Sequence, residues 1–369
     1  MIKGKKFELI KNKSLIYKDI DALNQSMIKL FDSDPIKFFN EYKMGKARSE
    51  KINTSLIIGS IVDFYLLECD GDKSILESRL NEKFILFEGN KGSGQVFLLV
   101  DYLIEETKKC MDEKGEINCD FETRINDAIK RIQSEGKYRG KSVDVIIEDF
   151  VKNGKSYFEK CMESIDKTVV DISLLDKAII TGNTIKNDEF VSDIFNWDNT
   201  KEKINHLVIE FKYDVEGRKF INCKAEIDML IIDHLNKTIQ LIDLKTTYDN
   251  ENFEVGYIKN KYYLQVSFYY LAVKEWIKNK NISEYKILPM KFVVGDTSSN
   301  NRRPLLYITS EEDVIRGLEG FCLKGEFHRG IKELIEDIVW AEDNNEWRCS
   351  KEAFNNNGRI NLNINYNEK

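Results

Sequence analysis

Residues 224–245, KAEIDMLIIDHLNKTIQLIDLK, constrain the fold more than any other stretch of this chain. Two apolar, β-rich runs, residues 225–232 and 238–244, flank the short segment His234-Leu235-Asn236-Lys237. That pattern predicts a β-hairpin. With the turn centred on Leu235-Asn236, Asp228 falls opposite Asp243 and Glu226 opposite Lys245. Alternation by two puts all four on one face of the sheet. Both faces are otherwise apolar, with Ile227, Met229 and Ile231 on one and Leu230 and Ile232 on the other. The hairpin is therefore expected to be buried on both sides, as central strands are. Two unpaired carboxylates facing each other there repel and are costly to desolvate. A divalent cation removes the conflict, because Mg²⁺ takes one or two protein carboxylates and fills its shell with water and phosphate oxygen. Lys245, one pleat along, would orient or deprotonate a metal-bound water, or neutralise charge developing on phosphate.

Asp228 followed by Asp243-Leu244-Lys245 resembles the D…(D/E)xK signature of the PD-(D/E)xK nuclease superfamily. Three further stretches sharpen the resemblance. Gln265-Val266-Ser267-Phe268-Tyr269 is similar to the QxxxY motif of the RecB-like branch. Gly59-Ser60-Ile61-Val62-Asp63, followed by Leu66-Leu67-Glu68, is similar to its GxxxH helix, with Asp63 where that motif has His. Residues 26–39, SMIKLFDSDPIKFF, resemble its N-terminal serine-to-P..F segment. In this order the motifs most resemble RecE-like phage exonucleases.

The resemblance implies an α/β, restriction-endonuclease-like αβββαβ core with N-terminal helices, a helical insertion and a C-terminal helical extension. It implies Mg²⁺-dependent phosphodiester hydrolysis, with Mn²⁺ as an alternative ion. Asp228 and Asp243 would ligate metal with Asp63 assisting, Lys245 would position the attacking water, and Gln265 and Tyr269 would lie beside the active site. The implied substrate is double-stranded DNA with a free end, degraded by an exonuclease in phage-type recombination or repair. A single-strand annealing or recombinase partner, and a ring-shaped homo-oligomer, go with that reading. The alternatives are a structure-specific endonuclease on the same fold, or a catalytically inactive nuclease-fold protein that binds DNA or acts as a scaffold. Retention of Asp228, Asp243 and Lys245 together speaks against the inactive form.

Composition narrows the class. At 369 residues, with 42% hydrophobic and 32% charged, the chain can bury a sizeable core. The start, MIKGKKFELIKNKSL, lacks the apolar region of a signal peptide, and no stretch has the apolar length of a membrane span. A cytoplasmic protein away from the membrane is the expectation. Seven cysteines at irregular intervals, without CxxC or CxxH spacing, predict reduced thiols. Some members of the RecB-like branch that the chain resembles carry an iron–sulfur cluster on four cysteines, three of them grouped near the C-terminus. Here only Cys322 and Cys349 lie there, so no cluster is expected. The three histidines, His206, His234 and His328, lack metal-site spacing. A net charge of −7 argues against indiscriminate nucleic-acid binding but not against a local basic groove. Candidate patches are residues 43–51, 137–141, 259–263 and 301–303, each more simply a solvated face except 259–263, which opens the Gln265 helix.

Read in order, residues 1–75 are N-terminal helices including the first core helix, 76–200 a mainly helical insertion, 201–310 the catalytic core, and 311–369 a helical extension and tail. Residues 20–45 predict a helix broken near Asp34-Pro35. In the helix predicted over 54–69, Leu56, Ser60, Asp63 and Leu67 share a face expected to meet the core. The glycine-rich residues 89–94 lack the ending of a phosphate loop and read as a flexible loop. Glu210 and Glu226 are candidate auxiliary acids, with Glu226 ranked below Asp228. One helix is predicted from about Tyr257 to Lys278, carrying Tyr262, Gln265 and Tyr269 on one stripe. Strands are expected at 286–294 and 304–308.

Overall fold

The computed structural model describes residues 17, 20–45, 54–89, 94–112, 115–163, 167–195, 200–217, 219–300 and 302–360. The chain divides into two units, Met1–Arg48 with Thr184–Lys369, and Ser49–Asn183. Among the described residues the strands, in chain order, are β1 (Phe84–Phe87), β2 (Thr168–Asp171), β3 (Lys201–Val215), β4 (Lys219–Asp233), β5 (Thr238–Thr247), β6 (Lys286–Asp296), β7 (Leu305–Ile308), β8 (Phe321–Leu323) and β9 (Glu326–His328). The protein is mixed α/β.

The larger unit is built on a five-stranded sheet of order β3-β4-β5-β6-β7. β3, β4 and β5 are antiparallel neighbours, β5 and β6 run parallel, and β7 closes the far edge antiparallel to β6. The parallel β5–β6 step needs a crossover, and the helix Tyr262–Asn279 supplies it. β5 is central, which is why Ile239, Leu241, Ile242 and Asp243 are all buried whichever face they point to. The predicted hairpin register holds, with Asp233 opposite Thr238 and Met229 opposite Ile242. Asp233 fixes the turn by accepting the backbone N–H groups of Leu235 and Asn236. Pro289, which has no N–H to give a ladder, sits where the β5–β6 register shifts, and the Gln240 side-chain amide donates to its carbonyl.

The chain breaks at Asp34 as the sequence predicts. Asp34 accepts the Lys37 N–H and caps Pro35–Phe38 after Gln25–Ser33 has ended. Phe31 and Phe38 from these turns pack with Ile227, Phe268, Leu334 and Trp347 into one core. The helix predicted through residue 257 is in fact two, Phe253–Lys259 and Tyr262–Asn279, broken where Lys261 adopts a left-handed φ of 53°. The helix Glu311–Glu319 crosses Tyr262–Asn279 so closely that a Cβ at Gly317 would lie 2.2 Å from the Tyr263 carbonyl oxygen. Ser267 donates its hydroxyl to the Val314 carbonyl at the same crossing.

The Ser49–Asn183 unit is mostly helical, with Gly94–Lys109, Phe121–Ser134 and Val143–Asn153 packed around Leu99, Leu103, Ile129, Ile132 and Phe150. It also contains a short parallel pair, β1 with β2, that periodicity did not suggest. It begins earlier than the expected insertion and takes in the Asp63 helix. There the expected core face holds only at Leu67, which is buried. Leu56 and Ser60 are exposed, while Ile57, Ile58, Ile61 and Val62 are buried, because the stripe of large apolar residues is the one that packs. Asp63 is half-buried at the end of Thr54–Asp63, where the bonding widens over Phe64–Glu68 and all of Phe64–Leu67 turn inward. A second correction concerns the thiols: Cys110 and Cys119 form a disulfide. They flank a turn in which Met111 bridges Ile117, so the fold brings together two cysteines whose sequence spacing gave no signal.

Of the residues 89–94 loop, 90–93 lie outside the described residues, as do 46–51 of the 43–51 patch, Asn301, and 361–369 of the tail. No helix among the described residues is long and apolar enough to cross a membrane.

Candidate active site

The site forms where β4 changes partners. One edge of β4 follows β3. Its other edge pairs with β5 only from Met229 to Asp233. Further back, the N-terminal segment takes over, with the Leu23 N–H donating to Asn222 O at 2.9 Å and the Lys224 N–H to Leu23 O at 2.8 Å. Lys224 is itself buried, and its ammonium donates to the carbonyls of Tyr17 and Ile20, which ties that segment down. Between the two partners, residues 225–228 have no ladder pair on this edge among the described residues. β5 leaves β4 after Ile242 and continues against β6 as far as Thr247. The strands therefore part at the step where Asp228 and Asp243 would have faced each other.

Side chains fill the crease. The Leu244 N–H, which has lost its ladder acceptor, donates to Asp228 Oδ2 at 2.9 Å. Asp243 has no exposed surface. Its Oδ1 accepts from the Gln265 amide, and its Oδ2 lies on the Lys245 ammonium. Gln265 is buried on the crossover helix directly above, 22 residues along from Asp243. Burial works against the charge on Lys245, but Asp243 and then Asp228 outweigh it and hold its pKa above the ordinary lysine value. Tyr269 is buried one helical turn beyond Gln265. Burial and the neighbouring Asp228 and Asp243 charges push its hydroxyl well above the usual tyrosine range. The structure thus brings together Asp228, Asp243, Lys245, Gln265 and Tyr269. Asp63 belongs to the other unit.

Tyr262, which the sequence placed on the Gln265 stripe, and Lys29, which the sequence reading left out, stand beside these. The Tyr262 ring carries two ammonium groups, Lys245 Nζ 5.1 Å and Lys29 Nζ 4.8 Å from its centroid. Burial, and next the Lys245 charge, lower the Lys29 pKa to about 7, with Asp243 acting in the opposite sense. Lys261, in the patch that opens this helix, is paired instead with Asp32 and Ser33. Lys29 lies inside SMIKLF, and the motif's spacing marked the segment without marking this residue.

The auxiliary acids separate. Glu210 is exposed and registered opposite Lys224, so it is not part of the crease. Glu226 was expected to face Lys245. The parting of the strands removes that pairing, and its carboxylate lies instead 3.6 Å from His206 Nδ1. His206 is registered across from Asp228, between the pairs Asn205–Met229 and Leu207–Ile227.

Among the described residues no group of three or more His, Cys, Asp or Glu side chains converges as a metal-binding cluster. The crease fits a hard cation that needs only two carboxylates. Asp228 and Asp243 outnumber Lys245, both are oriented by fixed donors, and hard ions complete such a set with water and phosphate oxygen. Tyrosine, glutamine and lysine in the same crease would meet an anionic, hydrogen-bonding substrate.

No family model matches the chain, and no curated protein matches it. Among solved structures it is similar to one described as the crystal structure of SSO0001, with 13% identity and a TM-score of 0.23 over 76% of this chain and 86% of that one. A likeness at that score carries no argument about fold or function.

Proposed function

We propose that this protein is a metal-dependent DNA nuclease of the PD-(D/E)xK type, with a restriction-endonuclease-like core. The observation that carries the reading is Asp243, a fully buried carboxylate gripped by Lys245 and Gln265 beside Asp228 where two central strands part. Stability alone does not favour such an arrangement. Well-packed apolar residues usually replace a buried ion pair without loss. The order β3, β4, β5, crossover helix, β6 supports the same reading, since it is the βββαβ part of that core.

Asp228 and Asp243 would hold Mg²⁺, or Mn²⁺, which when bound lowers the pKa of a water and polarises a phosphate. The Leu244 N–H and the Gln265 amide each fix one carboxylate oxygen, so the two acids keep their aim without reorganisation. Lys245 orients the attacking water and meets charge as it develops on the phosphate. Lys29, on the same tyrosine ring, offers a second cation to the substrate backbone. Water is the nucleophile in this scheme, and no covalent enzyme intermediate is needed.

Resemblance favours linear duplex DNA with a free end as substrate. The test is degradation of end-labelled linear duplex with Mg²⁺, beside closed circular plasmid and the Lys245→Ala variant. Loss of the linear substrate alone, abolished by Lys245→Ala, supports the exonuclease and gives its polarity. Cutting of the circle as well supports a structure-specific endonuclease. DNA binding with no metal-dependent cleavage of either overturns the nuclease reading in favour of a binding scaffold.

A further inference from the structure

Ten described residues other than glycine have a left-handed φ, and nine of them lie at turns or helix ends. His206 is the exception. It sits inside β3 at φ 50°, and its register position is directly across from Asp228. The left-handed region is costly for a residue with a Cβ, and such strain inside a regular strand persists only where the surroundings impose it. Its consequence is geometric. The neighbouring pairs Asn205–Met229 and Leu207–Ile227 are kept, while the step between them is distorted and the imidazole is brought to the Glu226 carboxylate, 3.6 Å away. Local irregularities of this kind re-aim side chains beside functional sites. At 3.6 Å the contact is too long for a hydrogen bond and suits an ion pair or a bridging water.

We propose that His206 is a positioning residue, held left-handed so that its imidazole fixes Glu226 on the face that Asp228 shares, thereby supporting the cation held by the crease. The proposal rests on the nuclease reading above. It gives Glu226, a candidate auxiliary acid by its spacing, a partner in His206 that the spacing did not indicate. Partners of this kind are worth about 10–100-fold in metal affinity or activity.

The test uses Mn²⁺ binding to the full chain without DNA, together with thermal unfolding in metal-free buffer. Glycine takes a positive φ without steric cost. His206→Gly is therefore expected to unfold at the same or a higher temperature, while its half-saturating Mn²⁺ concentration rises about 10-fold or more. His206→Asn, which tolerates the left-handed region and keeps a polar group, should recover part of that loss. Glu226→Gln combined with His206→Gly should add little to either alone, because the two act as a unit. Unchanged Mn²⁺ affinity in His206→Gly overturns the inference and leaves the nuclease reading intact. A lowered unfolding temperature with unchanged affinity makes the imidazole a packing element. Failure of the wild-type chain to bind Mn²⁺ at all sinks both readings.

Discussion

Replacing Gln265 with leucine tests the centre of the site without touching a charged group. The Gln265 amide donates to a carboxylate with no exposed surface, and it is itself buried on the crossover helix. Leucine has a similar volume, so no large cavity term enters. What is lost is a hydrogen bond to a buried charge, worth about 1.5–3 kcal/mol. For a unit of this size that corresponds to a fall in Tm of about 3–12 °C. Among the described residues the tryptophans, Trp276, Trp340 and Trp347, all belong to the larger unit, so fluorescence in urea reports on the unit that holds the site. A loss below about 0.5 kcal/mol would refute the claim that this amide supports Asp243, since that is the range of neutral surface substitutions. Gln265→Glu supplies the electrostatic control. Two carboxylates in contact share a proton, so one pKa rises in the folded state and the fold binds more protons than the unfolded chain. Stability of that variant should therefore fall as pH rises through the raised value. It should be less stable than Gln265→Leu at pH 7 and approach it near pH 4. Equal stability of the Glu variant at pH 5 and pH 7 would mean that the amide does not face a charge.

Three further substitutions carry the remaining predictions. The lowered Lys29 pKa, about 7 against an ordinary value of 10.5, means that folding disfavours its charged form. Its cost to stability therefore grows as pH falls from 10.5 towards 7, and Lys29→Met should stabilise the larger unit most at neutral and acidic pH, read by urea unfolding across that range. On the proposed nuclease function, the same variant should flatten the dependence of DNA affinity on pH between 6 and 8, with the wild type expected to bind better on the acid side. Gly317→Ala places a methyl group against the Tyr263 carbonyl and Ser267, so the crossing helices must shift, at about 1–3 kcal/mol; a change below 0.5 kcal/mol in urea unfolding would contradict that crossing. In Cys119→Ser the link to Cys110 is lost, and the chain-entropy account puts that at about 2–3 kcal/mol for so short a loop. Calorimetry should find a transition that moves with reductant in the wild type and not in the variant.

The sequence by itself determined the hairpin, its register and its burial, because alternation and turn chemistry act over a few residues and a slip of one would turn every apolar side chain the wrong way. It also determined that Asp228, Asp243 and Lys245 share one place, and that Gln265 and Tyr269 share a helical stripe. Only the tertiary structure decided what those groups touch. The parting of β5 from β4 depends on β6 and on the N-terminal segment at Leu23, both remote in sequence, and it moved Lys245 onto Asp243 and Glu226 towards His206. Lys29 reaches the Tyr262 ring from more than 200 residues away, and no local pattern carries that information. The Asp63 helix was misread for the converse reason. Its spacing defines a stripe, but which stripe faces a core depends on the partner, and the larger apolar one made up of Ile57, Ile58, Ile61 and Val62 is the one buried. Periodicity fixes which residues lie together on an element, and long-range packing fixes which of those faces meets another.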